Sequence, residues 1–91
     1  MFEKYINTLV EDFNEDCLSY GLIKNSLTDD QEEEIKERIM EHEECFNHKD
    51  EFDADNSEIM NVAIYGSGAN IAIECNQCGS IIIDNEALGI R

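Results

Sequence analysis

A chain of 91 residues supports one small core of modest burial fraction, so extra cross-links are useful to it. Its 22 acids against 6 bases leave a formal charge of −16, which disfavours direct binding to nucleic acid or anionic membranes and favours basic protein surfaces or metal cations. No apolar run approaches the roughly 20 residues that span a bilayer. The opening "MFEKYINTLVEDF" alternates apolar with charged residues, unlike a signal peptide, so the expected location is cytoplasmic.

From the N-terminus, Phe2, Tyr5, Ile6, Leu9, Val10, Phe13, Cys17 and Tyr20 recur at steps of three and four. They predict a helix over residues 2–20 with one apolar face, stopped at Gly21. A second helix, over 28–46, opens at "TDDQ", where Thr28 can cap and Gln31 can return the bond, with Asp29, Asp30 and Glu32 at the positive end of the dipole. Its stripe is narrow: Ile35, Ile39, His42 and Phe46, with Met40 to one side, so His42 is expected to point inward. An acidic loop follows over 47–57, then strands over 58–65, 69–75 and 80–84, with Gly66, Ser67 and Gly68 turning the first hairpin. The tail "NEALGIR" is too short to assign. The expected fold is a single α+β domain over 1–91: two N-terminal helices followed by a three-stranded antiparallel β-meander.

In a reducing cytosol four cysteines point to thiolate ligands or core thiols rather than disulfides. Cys75, Asn76, Gln77, Cys78 and Gly79 fall between two strands, at a hairpin tip that aims both sulfurs and successive backbone amides at one point. This Cys-X-X-Cys-Gly turn resembles the zinc knuckle of zinc-ribbon and treble-clef proteins, which implies a zinc ligand pair at Cys75 and Cys78. A structural zinc takes four ligands in a tetrahedron. The second pair is available in "HEECFNH", where His42 and Cys45 lie one turn apart on the second helix and His48 can replace His42 if that helix ends early. The candidate site is therefore His42, Cys45, Cys75 and Cys78, a Cys3His clamp holding zinc, with iron the other metal of this chemistry. Treble-clef proteins also draw their second pair from a helix, but after the knuckle in sequence, whereas here the helix comes first. The bland alternative gives Cys75 and Cys78 to the apolar core and leaves His42 a hydrogen-bonded core residue. Cys17, on the apolar face of the first helix, reads as core.

Other constellations carry less. Asp53, Asp55 and Ser57 alternate as in a calcium loop, but Glu58 stands where the loop requires glycine and Ile64 where it requires glutamate. "GSGAN" lacks the third glycine and following helix of a phosphate cradle. No Ser-His-Asp arrangement is suggested, and a Cys3His metal is coordinatively closed, so no enzyme is expected.

Residues 29–58 hold 14 acids and 3 bases, a net of −11, more than solubility requires of a small domain. The expected function is a zinc-stapled protein-binding module that presents Asp29, Asp30, Glu33, Glu34, Glu37, Glu41 and Glu44 to a basic surface. In size, acidity and lack of catalytic groups the chain is similar to small bacteriophage and mobile-element proteins that inhibit host nucleases, restriction systems or polymerases. That likeness implies a nucleic-acid mimic working in a host cytoplasm. Two other classes stay open: an adaptor that dimerises through its first helix while its acid only keeps it soluble, and a thiol redox protein using Cys75 and Cys78.

Overall fold

The computed structural model of the protein describes residues 2–47 and 59–90. The first helix, α1 (Phe2–Ser19), buries Ile6, Leu9, Val10, Phe13 and Cys17, the face that its three-and-four spacing marks out. It closes in a Schellman turn. Gly21 takes the left-handed conformation at φ +75°, its N–H donates to Leu18, and the Leu22 N–H reaches back to Cys17 at 2.9 Å. Tyr20, expected on the apolar face, instead lies beyond the helix end and is half exposed, because the chain reverses there. Its ring packs over Gly68, where an added Cβ would lie 2.1 Å from a ring carbon.

Helix α2 (Asp29–Met40) begins with the capping box its sequence predicts: the Gln31 N–H donates to Thr28 Oγ1 and the Thr28 N–H donates to Gln31 Oε1. Ile35 and Ile39 are fully buried against the core. The expected continuous helix over 28–46 is corrected at its C-terminal end. The chain turns at Glu41 and His42, and a separate short helix, α3 (Glu43–Asn47), follows. The His42 N–H bonds to the carbonyl of Ile39, three residues back, which tightens the last turn and breaks the helical register. The protein thus has three helices among its described residues where two are expected.

The sheet is an antiparallel meander in the order β1 (Met60–Tyr65), β2 (Asn70–Cys75), β3 (Ser80–Asp84). Gly66, Ser67 and Gly68 form a tight 3-10 turn between β1 and β2, with Ser67 itself at φ +57°. Ile73 faces Ile83 while Glu74 faces Ile81, so β3 carries Ile82 as an extra residue, a bulge. The bulge turns both Ile82 and Ile83 inward and leaves Ile81 exposed. The helices lie on the face that carries Met60, Val62, Ile71, Ile73 and Cys75, and these side chains close the core with Phe13, Ile35 and Ile39.

Two polar side chains tie the layers together. The Tyr5 hydroxyl, from α1, donates to the Met60 carbonyl and accepts from the Met60 N–H, both at 2.9 Å, which satisfies backbone groups on the edge of β1 that face away from β2. Asn85, 1% exposed, accepts from the Ile71 N–H and donates to the Ile90 carbonyl, each at 3.0 Å. The tail therefore has structure: a 3-10 turn, Glu86–Leu88, and a left-handed Gly89 return Ile90 to the core. His48, the acidic loop over 47–57 beyond Asn47, residue 58 of the first predicted strand, and the calcium-like positions Asp53, Asp55 and Ser57 lie outside the described residues.

Candidate metal centre

Four donors from two distant parts of the chain converge. His42 sits in the turn after α2, Cys45 on α3, Cys75 at the last position of β2, and Cys78 in the turn to β3. Their ligand atoms all lie within 4.8 Å of one another. His42 Nδ1 is 3.6 Å from Cys78 Sγ and 4.0 Å from Cys45 Sγ. A tetrahedral zinc with Zn–S near 2.3 Å and Zn–N near 2.0–2.1 Å sets sulfur about 3.5 Å from nitrogen and about 3.8 Å from another sulfur. The spacing therefore fits a single metal ion at the centre of the group. All four cysteines of the chain are free thiols.

Local structure explains the convergence. Gly79 stands at φ +75°, which a side chain would resist, and nothing lies near its missing Cβ, so its role is conformational. In that conformation its N–H donates to the Cys75 carbonyl at 2.9 Å and folds Cys78 back over Cys75. The tip is anchored to β1 as well, by the Asn76 N–H on the Ile59 carbonyl and the Asn76 amide on Asn61 Oδ1. Cys75 is part of the hydrophobic core and Cys45 packs against it, so the centre closes one end of the core. Cys78 is the exposed member.

The sulfurs differ electrostatically. Burial, and then the neighbouring sulfurs of Cys75 and Cys78, push the Cys45 thiol up to about 11. The Ser80 hydroxyl and backbone N–H hold Cys78 down at about 6. Ser80 Oγ stands 2.9 Å from Cys78 Sγ. Cys17 is remote from this chemistry: burial, then Asp16, raises it to about 11, as befits a core thiol. Sequence reasoning finds the four donors and misses Ser80. The only signal for it is a hydroxyl two residues after the second cysteine, whose direction depends on strand register.

The predicted acidic positions are also placed. Asp29, Asp30, Glu33, Glu37, Glu41 and Glu44 are exposed along α2, the following turn and α3. Glu34 differs, being half-buried and paired with Arg38 at 2.9 Å. No helix among the described residues is long and apolar enough to cross a membrane. No protein-family model, curated protein or solved structure matches the chain.

Proposed function

We propose that the protein is a non-enzymatic binding module in which one structural zinc ion, held by His42, Cys45, Cys75 and Cys78, fastens the acidic helical segment to the sheet. The observation that carries the reading is the convergence of those four donors within 4.8 Å. Three sulfurs and an imidazole nitrogen suit a soft or borderline ion, and four protein ligands leave no open position for substrate, which favours a structural use. Zinc is preferred to iron because one histidine with three cysteines is a common structural zinc set. Bound there, the ion stabilises the thiolates against one another and links residues 42–45 to residues 75–78.

The exposed carboxylates of α2 and the turn after it are the surface such a scaffold offers. Those four residues apart stand about 6 Å apart along the helix axis and form a line of negative charge. A basic groove of the kind that grips nucleic acid is the complementary partner, and competition for that groove the corresponding activity. Native mass spectrometry of protein purified without added metal, repeated after chelation with a melting curve for each sample, tests the zinc. One zinc per chain, lost on chelation together with much of the melting temperature, is the expected result. A metal-free chain that melts identically either way refutes the clamp. The acidic surface is tested separately: affinity for a basic partner must fall steeply with salt, and must be lost on changing Glu33, Glu37, Glu41 and Glu44 to glutamine with zinc retained.

One observation favours a second reading. Cys78 is exposed and its thiol lies near 6, as a redox cysteine requires. Alkylation rates with and without zinc separate the two readings, since a thiolate committed to the metal is protected and a redox thiol is not.

A further inference from the structure

We propose that Ser80 is a positioning residue of the metal centre, the hydroxyl that holds the Cys78 sulfur in ligating geometry. This rests on the zinc reading above. Ser80 opens β3 directly opposite Cys75, and paired residues of an antiparallel ladder share a face, so the strand that fixes Cys75 also aims Ser80 at the site. Its Oγ lies 2.9 Å from Cys78 Sγ. Of the four donors, Cys75 is buried, His42 and Cys45 are half-buried, and Cys78 alone is exposed. Cys78 is therefore the corner at which water or a competing chelator meets the metal. A hydroxyl donating to this sulfur spreads part of its charge and fixes the orientation of its remaining lone pairs. Outer-sphere partners of this kind orient ligands, and their loss commonly costs 10- to 100-fold in metal affinity. His42 and Cys45 are held differently, the first in the turn that closes α2 and the second by packing against the core, so the hydroxyl is matched to the exposed ligand.

Zinc competition against a chromophoric chelator tests the role in the intact chain. Ser80→Ala is expected to bind zinc 10- to 100-fold more weakly than the unaltered protein, and Ser80→Thr, which keeps the hydroxyl on a strand-favouring residue, to stay within about threefold. Cobalt supplies a second readout that mere destabilisation would not move. The thiolate-to-cobalt charge-transfer bands should shift in the saturated alanine variant and superimpose in the threonine variant. Should the alanine variant lose its fold, Ser80→Thr against Ser80→Val compares side chains of one shape that differ in the hydroxyl alone. Equal affinities and unshifted bands across the series overturn the role of Ser80 and leave the metal centre standing. An unaltered chain that takes up neither ion overturns the zinc reading, and this inference with it.

Discussion

Asn85 spans two backbone groups that water cannot reach, taking the Ile71 N–H with its oxygen and giving its amide hydrogen to Ile90. Truncation leaves both without partners, and a buried orphan costs about 1–3 kcal/mol. Asn85→Ala should therefore destabilise by about 2–4 kcal/mol, read as a lower urea midpoint at unchanged slope. Asp16 works in the opposite direction. Burial first, and Asp12 second, raise its carboxyl above the ordinary 3.8, so the folded chain holds the proton more tightly than the unfolded one. Its ionisation costs stability fully above the folded pKa, and that cost vanishes below the unfolded value. It also places an anion in the last turn of α1, at the negative end of the helix dipole, where no basic side chain answers it. Asp16→Asn should accordingly stabilise by about 0.3–1 kcal/mol at pH 7 and low salt, with the gain gone at pH 3. Urea melts at the two pH values check the sign.

At the scale of elements, β1 and α1 are joined by the Tyr5 hydroxyl. Tyr5→Phe removes both bonds to Met60 and keeps the ring, so the loss should be about 1–2 kcal/mol, with amide exchange at Met60 accelerating before that of the central strand β2. Much of this architecture was legible from residue order. The stripe of α1, the Thr28–Gln31 box and the Cys75–Gly79 turn each rest on contacts within a few residues, and local chemistry determines them. The break after Met40 was not legible, because Ile39, His42 and Phe46 continue the helical spacing across it and no glycine or proline marks the turn. Asn85 was hidden for another reason. In "IIIDNEALG" it reads as an ordinary turn residue, and its main partner, Ile71, lies 14 positions away. The bulge at Ile82 is silent too, since three successive isoleucines fit any register.

For the whole molecule, an ion held by the four converging donors would be the long-range cross-link. Cys45 and Cys75 are separated by 29 residues, and the four donors join the end of the helical segment to the hairpin tip. An ion that binds only the folded chain stabilises it by about 4 kcal/mol at a thousandfold excess over its dissociation constant. In a domain of this size that corresponds to roughly 15–30 °C in melting temperature, the interval that chelation should remove. The candidate ligands were legible because cysteine and histidine are scarce here and paired at ligand spacing. Their grouping into one site was legible too, and what was not is the local geometry, since the break after Met40 sets His42 in a turn and Cys45 on a separate helix, and strand register alone brings Ser80 to the site. The charge of −16 acts against the same compact state by self-repulsion, so such a cross-link would have more to offset here than in a neutral domain.

The hydroxyl of Tyr5 on Met60 has a further consequence, for how copies of this chain behave in a crowd. A sheet of three strands has two edge strands, and an edge left open is a template on which a neighbouring chain can add a strand and begin a fibril. Occupying the outward N–H and carbonyl of Met60 removes the first rung of that template where β1 leaves Ile59. The side chain that fastens the first helix to the sheet thus also takes one position of that edge out of reach of a neighbouring strand.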